Sequence, residues 1–249
     1  MRRLLFICSM LTLFSVSANG QKTKAWTEWS EKDAQKILND SAWGQTQTEG
    51  DTSSQSSSTS AITSTTTARE RDVRDTKAAA GSAESAEKQT PAMSVKYRVR
   101  FLSAKPIRAA FVRMVELQGA TAEKVAQLRT FVDRDFADYI VVAISMEGSS
   151  DRKRMGLAMQ EIGGADEAAL KTTTYLERKD GRRIALTNYR APIEDGLGAK
   201  FVFPRMVEGK PFIDANSGEV RFATEIGKAV KISRRFKVSE MMYDGKLEY

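Results

Sequence analysis

Between Gln45 and Met93 the chain loses nearly all its large apolar residues, and that gap decides where a core can form. Serine and threonine dominate from Thr46 to Thr67, with Ile62 the only sizeable hydrophobe. Arg69 to Lys88 mixes Arg, Asp, Glu and Ala without an apolar stripe. Such a stretch cannot bury enough surface to offset its conformational entropy, so residues 45–93 are predicted to be a disordered linker. Two pieces remain. Residues 21–44 carry all 3 tryptophans of the chain. Residues 94–249 are numerous enough for one core and too few for two.

The first 20 residues read as a secretory signal peptide. Arg2 and Arg3 form a basic start, Leu4 to Val16 an uncharged apolar run, and Ser17, Ala18 and Gly20 the small residues of a cleavage region. Cleavage after Gly20 leaves Gln21 first; cleavage after Ala18 is the alternative. The run is short for a membrane helix, so no transmembrane helix is expected once it is removed. The expected location is extracytoplasmic, either periplasmic or secreted. Cys8, the one cysteine, lies inside the apolar run, behind Phe6 and Ile7 where a lipoprotein signal needs small residues. Its loss leaves no thiol, and the chain has no histidine. Cys/His zinc sites, disulfides and histidine-based nucleophile pairs are therefore excluded from the mature chain. No cofactor, metal site or catalytic residue is expected.

Beyond Ser94, periodicity predicts an α+β domain, an antiparallel sheet packed on about three helices. Val95, Tyr97, Val99 and Phe101 alternate as a half-buried strand. Apolar stripes with Pro106, Thr121 and Asp151 at their starts predict helices near 106–118, 121–136 and 151–162. Tyr139 to Ile144 is an unbroken apolar run, read as a central strand buried on both faces. Asp180-Gly181 between residues 170–179 and 182–189 signals a hairpin. Further strands are predicted at 200–203, 219–224 and 229–238.

The candidate sites each have two readings. In 21–44, Ser30 and Asp33 form a capping box for a short helix over Glu31 to Asn39, with Trp29 stapled against Ala34. So short a helix needs a surface to pack on. Trp26, Trp29, Trp43, Ile37 and Leu38 either dock on their own domain, the reading that large aromatics favour, or engage a partner. Two strand faces are basic, Lys96/Arg98/Arg100 and Lys231/Arg235/Lys237. They are either solvated outer faces with cations guarding sheet edges or a surface for an anionic polymer or membrane. Residues 94–249 hold 28 Lys and Arg against 21 Asp and Glu, which accounts for the chain's net +7. No RNA-binding aromatic pattern accompanies these charges, so nucleic acid is not an expected partner.

Weaker patterns complete the inventory. Asp214 to Gly218 with Glu225 partly matches a calcium loop, but Glu219 stands where glycine is needed, and a simple turn is favoured. Gly196 and Gly198 could form an anion nest but lack phosphate-loop spacing. Paired carboxylates, such as Asp138 or Glu147 facing Glu194, would be needed for glycan hydrolysis.

The stretches WTEWSEKD (Trp26 to Asp33), RFLSAKPIR (Arg100 to Arg108) and LGAKFVFPR (Leu197 to Arg205) resemble a family of secreted bacterial proteins of unknown function with a tryptophan-rich N-terminal motif. The chain departs from that family at Ala42, where the family usually has proline before the tryptophan. The resemblance implies no activity. The expectation is a non-catalytic extracytoplasmic binding or assembly module whose partner is an envelope protein or anionic polymer. The alternative is a carboxylate-dependent hydrolase acting on glycans.

Overall fold

A computed structural model describes residues 24–49, 94–148 and 151–249. The expected signal peptide and residues 50–93 of the expected linker lie outside them. Along the chain the elements are α1 (Glu31–Asn39), β1 (Gly44–Thr48), β2 (Lys96–Phe101), α2 (Lys105–Leu117), α3 (Ala122–Val132), β3 (Tyr139–Glu147), α4 (Arg152–Gly163) and α5 (Glu167–Thr173). Then come β4 (Tyr175–Arg178), β5 (Arg183–Ala185), β6 (Asn188–Arg190), β7 (Ala199–Pro204), β8 (Met206–Val207), β9 (Lys210–Pro211), β10 (Glu219–Ile226), β11 (Val230–Lys237), β12 (Met242–Tyr243) and β13 (Lys246–Leu247). The fold is α+β.

Two antiparallel sheets face each other. The five-stranded sheet runs β1-β2-β3-β7-β6 and the four-stranded sheet β11-β10-β4-β5; β8/β9 and β12/β13 are separate ribbons. Alternation along β2 turns Tyr97, Val99 and Phe101 inward, and all three are buried. Phe101 meets Phe236 of β11 edge-to-face at 4.8 Å, and Phe201 meets Phe222 of β10 at 5.5 Å. These ring pairs lock the sheets together beyond their area burial. The central strand is β3, with Ile140 to Ile144 buried in keeping with its unbroken apolar run.

The sequence misplaces several boundaries: the helix expected at 121–136 ends at Val132, and the strand expected at 182–189 divides into β5 and β6, which belong to different sheets. Gln45 to Thr48, assigned to the linker, form β1, paired in register with β2 from Gly44↔Arg100 to Thr48↔Lys96. A polar strand of this kind gives no hydrophobic alternation to read, because its glutamines serve as hydrogen-bonding groups. Gln47 is 1% exposed; its amide donates to Lys231 O and accepts from Ser233 N, both at 2.9 Å. Gln45 donates to Arg235 O at 2.8 Å. Side-chain amides thus occupy the backbone edge of β11 that no strand pairs. Residues 170–173, assigned to a strand, belong to α5 instead. Asp166 caps that helix through Ala168 N and Ala169 N, and Glu167-Ala168-Ala169-Leu170 are mostly good helix formers.

The tryptophan segment is part of this fold. The capping box at Ser30 and Asp33 is present, and α1 spans Glu31–Asn39. Trp29 and Trp43 are 7% and 9% exposed, and both meet Tyr243 edge-to-face. The Trp43 indole N–H donates to Glu248 O at 2.8 Å, and Arg113 on α2 donates to Trp29 O. Gly44 is required here: a Cβ on it would lie 2.4 Å from Leu38 O. That close approach lets the chain turn from α1 directly into β1.

Candidate functional site

Of the residues expected to meet a partner, Trp29, Trp43 and Leu38 are interior, which removes them as an exposed binding surface. Trp26 and Ile37 are half-buried against the same core, with the Arg129 guanidinium 5.8 Å from the Trp26 ring. Burial of large aromatics is the reason, as the docking reading anticipates.

The two basic strands part company. On β2 the Arg100 guanidinium is buried, 7% exposed, and donates to Leu38 O, Asn39 Oδ1 and Ser145 Oγ at 2.8–3.1 Å. Burial pulls it down to about 10. It ends helix α1 by holding its C-terminal groups, so it is not part of an anionic-ligand surface. Arg98 is half-buried and pairs with Glu147 at 3.0 Å, leaving Lys96 exposed. On β11, Lys231, Arg235 and Lys237 are exposed and belong to the outer face of the four-stranded sheet.

Register builds that face in rows. Lys237 lies opposite Glu219. The next row reads Arg235, Arg221, Glu177, Arg183 across β11, β10, β4 and β5. Below it lie Ser233, Ala223, Tyr175 and Ala185, then Lys231 opposite Glu225. Tyr175 carries two arginines, with the Arg183 and Arg221 guanidinium carbons 4.5 and 5.5 Å from its ring, and its hydroxyl is 3.0 Å from Arg221. Glu177 bridges Arg183 at 2.5 Å and Arg221 at 2.6 Å. Burial works to raise the Glu177 carboxyl, but the two arginines hold it below the ordinary carboxylate range. The exposed cations also have partners, Lys231–Glu225 at 2.6 Å, Lys237–Glu240 at 3.3 Å and Arg235–Glu219 at 3.8 Å. A recess of about 240 Å3 opens at the first two rows, between Lys179, Arg221, Arg235 and the tip at Gly181.

Sequence reasoning found Lys231, Arg235 and Lys237 and missed Tyr175, Glu177, Arg183 and Arg221. The Asp180-Gly181 hairpin signal, carried through in register, would have placed Glu177 opposite Arg183. Pairing with β10 is a long-range fact that alternation does not encode.

A second concavity, about 330 Å3, lies between α2, α3 and the chain's last residues. Its polar groups already serve the fold. Arg108 donates to carbonyls of Leu102, Ser103, Val132 and Arg134, Lys105 Nζ pairs with Asp133 at 2.8 Å, and Glu248 accepts from Lys105 N.

The weaker motifs also resolve into structure. Asp214 closes a turn with Ser217 and Asn216 and pairs with Arg178 at 3.2 Å, while Glu225 faces Lys231; their carboxylates are engaged. At the glycine pair, Asp195 accepts from Leu197 N and Lys200 Nζ, so the chain's own carboxylate fills the would-be nest. Gly198 is needed because a Cβ would strike Ile144 O at 2.1 Å. Asp138 and Glu147 flank opposite ends of β3, about 30 Å apart at 3.3 Å per residue. They cannot both face Glu194, and Glu147 is held by Arg98. Asp33, Glu167, Asp180 and Asp214 are held below the ordinary range by hydrogen bonds and neighbouring cations, and Glu123 by hydrogen bonds to its own backbone and Thr121. A general acid needs the opposite shift. No helix among the described residues is long and apolar enough to cross a membrane.

No protein-family profile and no curated protein matches the chain. A solved structure from Burkholderia pseudomallei, described as a novel protein of unknown function, is similar over 56% of this chain and 72% of that one. Its TM-score is 0.35 and its identity 11%, too low to carry any argument.

Proposed function

We propose that this chain is a non-catalytic extracytoplasmic binding module that holds an anionic polymer against the outer face of its four-stranded sheet. The observation behind this reading is the row Arg235, Arg221, Glu177, Arg183, which sets three guanidiniums beside a single carboxylate that bridges Arg221 and Arg183. Lys179, Lys231 and Lys237 extend the positive field along the same strands, so the face attracts polyanions over roughly a Debye length. The extracytoplasmic setting comes from the signal peptide read at residues 1–20. The hydrolase alternative needs a carboxyl kept protonated near neutral pH, and every resolved carboxyl shift is in the other direction.

The test is retention on dextran sulfate across a salt gradient, with a control for bulk charge. The triple variant Arg183→Glu, Arg235→Glu, Lys237→Glu should elute at much lower salt than the native chain. The triple variant Lys124→Glu, Arg152→Glu, Lys153→Glu changes net charge equally on α3 and α4, and should elute closer to the native chain. Equal losses in the two variants would reduce the effect to net charge and sink the proposal.

A further inference from the structure

We infer that residues 94–249 carry a groove that receives a helix–strand segment, that residues 24–49 fill it, and that they stay seated without their covalent link. One strand closes an edge on each sheet. β1 pairs along its whole length with β2, from Gly44↔Arg100 to Thr48↔Lys96, and so covers what would be the end of the five-stranded sheet. Trp43, Gln45 and Gln47 stand at alternate positions and share a side. The two glutamines meet Lys231 O, Ser233 N and Arg235 O on β11, the edge of the four-stranded sheet. The Arg234 guanidinium donates back to Thr46 O. Main-chain pairing of this kind supplies affinity, and sites for alternate side chains supply specificity.

The helix is gripped separately. Arg100 holds Leu38 O and Asn39 Oδ1, Arg113 holds Trp29 O, and Trp29 and Trp43 pack on Tyr243. The Trp43 indole also donates to Glu248 O. So short a helix is unstable alone in water, so these contacts fix α1 rather than its own propensity. Every one of them joins 24–49 to 94–249.

The covalent connection leaves and returns at one place. Glu49 N donates to Val95 O at 2.8 Å, and Thr48 lies opposite Lys96, so the two ends of 50–93 are side by side. A linker of the expected kind contributes an effective concentration of about 1 mM at most, and its closure cost changes slowly with length. Cutting it removes that concentration and none of the contacts named above.

The test places a site for a sequence-specific protease at 60–66 of the full chain, cuts the folded protein, and follows the pieces by size-exclusion chromatography. All 3 tryptophans lie in the N-terminal piece, so their emission reports its seating. At about 10 μM the pieces should co-elute with at most about a tenth free, a Kd below about 0.1 μM, and keep the emission of the uncut chain. Gln47→Ala leaves Lys231 O and Ser233 N unpaired and should raise that Kd by about tenfold or more. Gln35→Ala, on the exposed side of α1, should leave it within about twofold. Separation of the pieces, with emission moving to that of indole in water, overturns the inference. So does resistance of the site to the protease, which would put 50–93 among the groups that hold the segment. An equal response to the two glutamine variants overturns it as well, because the β11 edge would then play no part in the grip.

Discussion

Strands β2 and β11 carry the same signature, cations at alternate positions with large apolar residues between them, yet the fold treats them oppositely. On β2, α1 crosses the cationic side, and Arg100 becomes a buried anchor for Leu38 O and Asn39. On β11 the equivalent side is left open, and Arg235 stays half exposed with a loose partner at 3.8 Å. Alternation tells which side chains share a face. Whether that face is covered depends on an element 60 or so residues away, delivered here by the tryptophans through the contacts of Trp29 and Trp43 with Tyr243. The same residue type is structural in one place and available in the other.

The largest test of that contrast removes what holds the cover down. Trp43→Ala deletes a buried indole and its bond to Glu248 O, and should cost about 3–5 kcal/mol in urea unfolding. Amides of β2 should lose hydrogen-exchange protection more than those of β4. A loss under about 1 kcal/mol would mean that the N-terminal segment adds little to the domain.

A smaller effect compares the two arginines directly. Arg100→Met leaves Leu38 O and Asn39 Oδ1 without their donor in a buried setting, and should destabilise by about 2–4 kcal/mol. Arg235→Met removes a surface cation and should change stability by less than about 0.5 kcal/mol, while lowering the salt at which the chain leaves dextran sulfate. Comparable stability losses in the two variants would erase the distinction between covered and open strands.

Much of the fold could be read before the structure, and the misses share a cause. Helix α1 was legible to the residue because Ser30 and Asp33 are a local signal, and β3 because an apolar run leaves few alternatives. Strand β1 was hidden because Gln45 and Gln47 act through amides aimed at β11, some 185 residues away, in a stretch whose composition continues into the linker. Arg100 was misread for the same reason: its acceptors lie about 60 residues upstream. The open face was half legible. β11 showed its cations, but Arg221, Glu177 and Tyr175 gain their meaning from the β10–β4 register, a tertiary fact.

The smallest expected effect uses pH to titrate the inward face of β2, which the fold buries as well as the side that α1 crosses. Tyr97 faces inward on β2, and burial, reinforced by Glu49 and Glu161, pushes its hydroxyl up to about 12. Tyr243, beneath Trp29 and Trp43, is likewise pushed up to about 12, chiefly by burial. An unfolded tyrosine ionises near 10, so the folded state binds the proton more tightly. The stabilisation is complete below pH 10 and is lost as pH rises from 10 through about 12. Lysines titrate in the same window, so the informative quantity is a difference between variants. Tyr97→Phe should flatten the decline in stability between pH 9.5 and pH 11 by less than about 1 kcal/mol after screening is allowed for. Parallel urea midpoints for native and variant chains across that range would show that Tyr97 ionises as it does in water. The inward face of β2 would then be open to solvent, and β2 would no longer differ from β11 in being buried on both faces.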